Sequence, residues 1–460
     1  MELTIALIGV AVFVWLSYFG LYHLSWQRAV KLTLIIIIFE GVLRKWVLPQ
    51  ASELIYFLKD LLLLVAYLKY YLSSEPKYPF KLSIFNILLI LAFSWSLCQT
   101  FNPSLGSPII GFFGLKAYFF YMPLMWLVPS LFKSEEEIYR FLRNYLLLLI
   151  PVSLLAIAQF FSPVSSPINV YAGGEEANAT LADGITRVTA TFPYLTGFST
   201  YLTACFSILI PMLTLPQTKI WRWLTFAEAF LVVATSFMTG ARTLLLYEIL
   251  FVVGYSCILF FAKPKEAARS AKKFILPITL IATVLPRFFT KAIDAFFQRA
   301  EGASKVESVN DRALIPLTEP VALIQQMQLK ALDGYGIGAT HQAVPTLRLA
   351  LNLPVGDTLL APEVETSRVT IELGVLGLLL WYLLRLVLIL STWRVLWRLE
   401  SPWLRQLILS AFLFQVLNLI AVHLIFNTTF AIYYWFFCGF ILLFPELEYR
   451  QSLCYRYRGQ

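Results

Sequence analysis

Glu363, Glu365 and Arg368 stand together where a long hydrophilic stretch ends and an apolar run begins, in the order Ala361-Pro-Glu-Val-Glu-Thr-Ser-Arg368-Val-Thr-Ile-Glu372. Ionisable groups at a membrane boundary carry a desolvation cost, so a cluster of them marks a site before it marks ordinary packing. Two readings of the cluster are open. If a helix begins early, Glu365, Arg368 and Glu372 share one face at spacings of three and four and form a salt-bridged seam. Alternatively, a carboxylate whose pKa is tuned by burial and neighbouring charge serves as general base for a sugar hydroxyl. The candidate bases are then Glu363 and Glu365, joined by His341, which follows the glycine turn Gly334-Tyr-Gly-Ile-Gly338.

A second set of residues is cationic. Arg44 and Lys45 lie in Glu40-Gly-Val-Leu-Arg-Lys-Trp-Val-Leu-Pro49, and Lys59 precedes Asp60. Lys116 sits well inside an apolar run. Arg187 opens Arg187-Val-Thr-Ala-Thr-Phe-Pro193, and Arg242 follows a glycine break in Met238-Thr-Gly-Ala-Arg-Thr243. Guanidinium binds phosphate oxygens as a bidentate fork and lysine as a point charge, so a lipid-borne diphosphate fits Arg44, Lys45, Lys116, Arg187, Arg242 and Arg368. Against this, Arg44 and Lys45 next to Trp46 also fit simple snorkelling to the interface. Lys59 and Asp60 fit a local neutralising pair, and Arg187 fits a solvated loop charge.

Composition restricts what must position these groups. In 460 residues, 59% are hydrophobic and only 14% charged, with a mean hydropathy of +0.73, far outside the composition of a soluble domain. Apolar runs long enough to cross a ~30 Å hydrocarbon core recur along the chain, and helices keep their backbone groups paired there. The expected fold is an all-α, polytopic bundle of about thirteen spans: 3–22, 31–43, 54–71, 82–98, 107–130, 142–161, 194–214, 221–238, 243–262, 273–289, 369–391, 403–422 and 428–445. The chain then divides into ten spans over 1–289 with a short outer loop at 162–193, a large partly helical loop at 290–368, and three spans with a tail over 369–460.

Alternating the loops places most of the 36 Lys and Arg on one face, including Lys133, Arg140, Lys263, Lys265, Lys272, Lys273, Arg394 and Arg398. That face is cytoplasmic by the positive-inside rule, which leaves an external N-terminus and a cytoplasmic C-terminus. The net charge of +9 is thereby explained by orientation and not by nucleic acid. The five cysteines are dispersed without metal-ligand spacing and read as packing residues; the three histidines are scattered. No Walker loop, HExxH, GxSxG or metal-holding carboxylate pair is visible, so no nucleotide, metal or other cofactor is expected.

The helical layout, the Gly240-Ala-Arg242 junction, and a long loop containing Gly334-Tyr-Gly-Ile-Gly338 and closing at Glu372-Leu-Gly-Val-Leu-Gly377 resemble the bacterial O-antigen ligase and O-antigen polymerase superfamily. Phe39–Pro49, Tyr56-Phe-Leu-Lys-Asp60 and Arg187–Phe192 are similar to a polysaccharide polymerase branch of it. The resemblance implies a metal-independent glycosyltransferase in the bacterial inner membrane that moves a glycan from undecaprenyl diphosphate to a glycan or lipid acceptor on the periplasmic side. It also implies a flippase and a chain-length regulator as companions. Arg242, Arg187 and Lys116 would hold the diphosphate. Many ligases of the family have histidine and asparagine where this chain has Glu363, Glu365 and Arg368, which favours polymerase over ligase. Two other classes remain: a transporter of bicarbonate or a lipid-linked sugar, and a non-catalytic subunit of an exopolysaccharide assembly complex.

Overall fold

The computed structural model describes residues 24–78, 83–174, 185–306, 309–354, 362–420 and 424–458; the expected first span, 3–22, lies outside them. The described chain is an all-helical, membrane-spanning bundle with no β-strand among its described residues. Among the described residues seven helices are long and apolar enough to cross a membrane, and eight if Ser270–Phe288 and Thr290–Gly302, bent by 91° at their junction, make one broken span. Ile84–Thr100 and Pro402–Leu417 are apolar but shorter. The expected spans at 31–43 and 54–71 form the helices Trp26–Val42 and Leu58–Leu72. At 17 and 15 residues they extend only about 22–26 Å as α-helix, and they carry Glu40, Lys59 and Asp60 in their buried faces. Apolar runs in the sequence therefore overstate how many helices meet the length and polarity demands of a simple crossing.

The helix Leu195–Thr214 is buried along nearly its whole length and packs against Lys219–Thr239, Pro402–Leu417, Arg242–Ala262 and Thr428–Cys438. Its apolar residues face neighbours on every side, the pattern of a central helix. Thr428–Cys438 is equally enclosed and is capped by Asn427, whose side chain accepts from the Phe430 N–H.

The long loop is tied to this bundle at its glycine turn. Gly334, Gly336 and Gly338 have φ of +75°, +99° and +86°, a region open to residues without a Cβ. A Cβ on Gly338 would lie 2.8 Å from the Gly114 Cα, so the turn lies directly on the Pro108–Phe119 helix. Tyr335 and Gly336 donate backbone N–H groups to Ile371 and Glu372 carbonyls at 2.8 and 3.0 Å. The Glu372 carboxylate, fully buried, accepts from the Thr340 N–H at 3.0 Å, the Thr340 hydroxyl at 2.6 Å and the Tyr118 hydroxyl at 2.9 Å. The loop thus enters the bundle between two helices and brings the segment that follows it, from His341 onward, over the helix ends.

The acidic end of the loop departs from both sequence readings. Glu365, Arg368 and Glu372 share the helix Glu365–Arg398 but form no seam, because each is engaged elsewhere. Glu365 pairs with Arg385 at 2.7 Å, and its second oxygen accepts from the N–H groups of Leu424 and Ile425. Gly374 has φ +67°, breaks the helix, and its Cβ position lies 2.3 Å from the carbonyl oxygen of Leu332 in the short helix Lys330–Asp333. The close approach there is made by the loop's own backbone.

Candidate functional site

A chamber of about 1850 Å³ opens where these elements meet. Its walls come from distant segments: the turn 49–57, the loop before Leu195–Thr214, the start of Arg242–Ala262, the His341 segment of the long loop, and residues 426–430. Arg44, Lys116, Arg187, Arg368 and His341 all line it. Two carboxylates, Glu40 and Glu53, share the lining, so the four cations leave a formal excess of two positive charges with His341 neutral.

Arg44 is positioned by a local change of helix. Trp26–Val42 runs on as a one-turn π-helix, Leu43–Val47, and the wider turn re-aims the side chains that follow. Arg44 donates to Glu40 at 3.0 Å and to the Ser52 hydroxyl at 3.0 Å. The other Glu40 oxygen accepts from Lys59 at 2.8 Å. Lys59 and Asp60 therefore do not neutralise each other. Adjacent residues on a helix point roughly 100° apart, and Asp60 faces Lys116 at 2.6 Å instead. The Tyr56 ring, also in the wall, lies 5.4 Å from the Arg44 guanidinium, 3.9 Å from Lys59 Nζ and 5.2 Å from Lys116 Nζ, distances at which its π-face attracts each cation.

Arg187 and Arg368 share one mode of attachment. Arg187 donates through Nε to the Thr239 carbonyl at 2.8 Å, at the C-terminal end of Lys219–Thr239. Arg368 donates through Nε to the Pro362 carbonyl at 2.7 Å and lies 4.7 Å over the Phe426 ring. In each, the backbone carbonyl takes the Nε edge, and among the described residues the terminal nitrogens have no acceptor; Arg368 Nη1 is buried in that state. Burial, with Arg299 nearby, lowers the Arg187 pKa to about 10, so the group stays charged at neutral pH. These two guanidinium groups are the strongest anion donors of the chamber, since Arg44 and Lys116 already face carboxylates.

His341 also lines the chamber, between the rings of Phe113 and Phe426 at 6.2 and 5.7 Å. Burial, then the charges of Lys116 and Arg368, push its pKa down to about 4. Its Nδ1 accepts the Ala343 N–H at 3.1 Å. The ring is therefore neutral with its proton on Nε2, which suits donating a hydrogen bond and not accepting a proton.

Four other sequence candidates lie outside the lining. Lys45 is buried and donates to the Thr189 hydroxyl at 2.8 Å and to the carbonyls of Ala190 and Phe192 at 2.9 and 3.3 Å. With Gln159, which accepts from the Thr189 and Ala190 N–H groups at 3.2 and 2.7 Å, it holds the loop that carries Arg187. It is a positioning cation and does not snorkel. Arg242 starts its helix between Ala241 and Thr243, both lining residues, but is not itself in the wall. Glu363 is exposed outside the chamber, and Glu365 is committed to Arg385 behind it. Neither carboxylate lines the chamber.

Tyr56, Phe426 and the two lining carboxylates were not among the site residues expected from the sequence, although Tyr56 and Glu40 both fall within motifs singled out there. Glu40 and Lys59 are on neighbouring short helices, and no spacing rule signals a pair made across them. One flank of the chamber is apolar, with Leu244, Leu246 and Leu250 from Arg242–Ala262. Leu246 and Leu250 are exposed at the bundle surface. Among the described residues no three His, Cys, Asp or Glu side chains are grouped as metal ligands. Comparison with protein-family models, with curated proteins and with solved structures finds no match.

Proposed function

We propose that this chain is a membrane glycosyltransferase of the O-antigen ligase and polymerase type, acting on a glycan carried by undecaprenyl diphosphate. The observation that supports it best is the chamber itself, which Arg44, Lys116, Arg187 and Arg368, far apart in sequence, line together with an apolar flank. A diphosphate needs several donors at once, and its lipid tail needs an apolar exit, so both halves of such a donor have a matching surface. Arg187 and Arg368 hold the diphosphate through their free terminal nitrogens, Lys116 adds a point charge, and the His341 Nε2–H contributes a neutral donor.

In this mechanism the acceptor hydroxyl oxygen forms a bond to the anomeric carbon while the carbon–oxygen bond to the diphosphate breaks. The electron pair of that bond leaves with the lipid diphosphate. Charge grows on the leaving oxygens in the transition state, and donors already held in place stabilise it without reorganising. The activated donor supplies the driving force, in keeping with the lack of a nucleotide motif. Under the positive-inside assignment the chamber lies at the outer side of the membrane. Acceptor identity, glycan or lipid, separates polymerase from ligase.

The test is reconstitution of the full chain in sealed liposomes with lipid diphosphate oligosaccharide extracted from the source membranes. Lengthened or transferred glycans, lost on replacing Arg187 and Arg368 together by alanine, support the proposal. Movement of donor or bicarbonate across the bilayer without covalent change shifts the assignment to transport. Neither transfer nor flux leaves the assembly-subunit reading.

A further inference from the structure

We infer that Glu53 is the carboxylate that takes the acceptor proton; this rests on the glycosyl transfer proposed above and names the base it requires. Every other carboxylate of the chamber and its supporting layer is already bound. Glu40 gives one oxygen to Arg44 and the other to Lys59. Asp60 accepts from Tyr121 and faces Lys116. Glu365 is held by Arg385 and two backbone N–H groups, and Glu372 by Thr340 and Tyr118. Glu53 alone among these lines the chamber with neither oxygen engaged by a described residue.

Its mounting is firm although its oxygens are free. The preceding residue, Ser52, accepts the Arg44 Nε–H at 3.0 Å. The short helix Ser52–Tyr56 ends at the tyrosine ring that lies 3.9 Å from Lys59 Nζ. Glu53 is thus carried between two residues fixed to the cationic wall, and it lines the chamber while itself exposed. A polar acceptor reaches Glu53 from its exposed side, whereas the lipid donor enters along the apolar flank. In the transfer step the Glu53 carboxylate accepts the hydroxyl proton as the oxygen bonds to the anomeric carbon, and the diphosphate departs with the electrons of the bond that breaks. The proton then passes to bulk water.

The experiment compares the wild type with Glu53→Gln and Glu53→Asp, full length, in the same liposomes with the same extracted donor. A positioned base contributes about 100-fold or more, so Glu53→Gln loses at least that much transfer while donor affinity, measured by displacement with inorganic diphosphate, is unchanged. Azide is an anionic nucleophile that needs no deprotonation, and it restores donor consumption in Glu53→Gln with a glycosyl azide as product. Glu53→Asp retains part of the transfer to the hydroxyl acceptor. Transfer by Glu53→Gln within about threefold of wild type overturns the inference and leaves the proposed function standing. Loss of donor affinity, or failure of azide to rescue, also overturns it, since Glu53 would then act by binding or by structure. If the wild type itself transfers nothing, the proposed function fails first and the inference falls with it.

Discussion

Arg368→Ala is the sharpest perturbation of the chamber because it removes a donor that no described residue uses. Arg368 spends Nε on the Pro362 carbonyl and rests on the Phe426 ring, while its Nη1 has no partner among the described residues. A charge-assisted hydrogen bond has a net worth of about 1.5–3 kcal/mol. Allowing one to two such bonds with incomplete additivity, the alanine variant loses about 3 kcal/mol of diphosphate binding, or roughly 100-fold at 1.4 kcal/mol per decade. Arg368→Lys keeps the charge but gives up the fork and the Nε anchor, and retains an intermediate affinity about tenfold below wild type. The assay is competition of inorganic diphosphate against the extracted lipid donor in liposomes, with the thermal unfolding midpoint measured in parallel. An alanine variant that folds normally and binds within twofold of wild type refutes the reasoning, since a free fork in the wall would then have no anion to hold.

Other consequences follow from the remaining geometry. Because the His341 pKa is lowered to about 4 from an unfolded value near 6.5, the unfolded chain binds the extra proton first. Its contribution to stability is complete above about pH 6.5 and is lost as pH falls toward 4; the unfolding midpoint of the wild type drops over that window more than that of His341→Gln. Gly338→Ala places a Cβ 2.8 Å from Gly114 Cα at φ +86°, and strain of this kind costs on the order of 1–3 kcal/mol. Limited proteolysis then cuts the 290–368 loop faster while the bundle stays intact. Glu365→Gln leaves Arg385 buried without its counter-charge, at a cost of about 3–5 kcal/mol. The double variant Glu365→Gln with Arg385→Met recovers part of that loss in a thermal denaturation series, which a catalytic role for Glu365 would not require.

Much of the architecture was legible along the chain. Apolar runs mark the helices, because in lipid a backbone stretch without internal hydrogen bonds is too costly to persist. The run length does not settle which of them cross: Trp26–Val42 and Leu58–Leu72 read as spans yet are short helices with buried charges. Gly334, Gly336 and Gly338 stood out as a turn, but only their close approach to Glu372, Leu105 and Gly114 respectively explains why three glycines are needed there.

From the residues alone follow the class of protein, the helical content, and the sparse cations at one end of the bundle, since these depend on local hydropathy and charge. Which cation is free to meet a ligand depends instead on side chains brought together across long separations. Lys45 is used up by a loop some 145 residues away, while Arg187 and Arg368 are held at Nε and left open at their tips. The same holds for the carboxylates: Glu365 looked available until Arg385 closed on it, and Glu53 drew no notice until its neighbours were seen to be occupied. An ionised group buried in a bundle must find a counter-charge or donors, and the packing that supplies them decides which groups remain for chemistry.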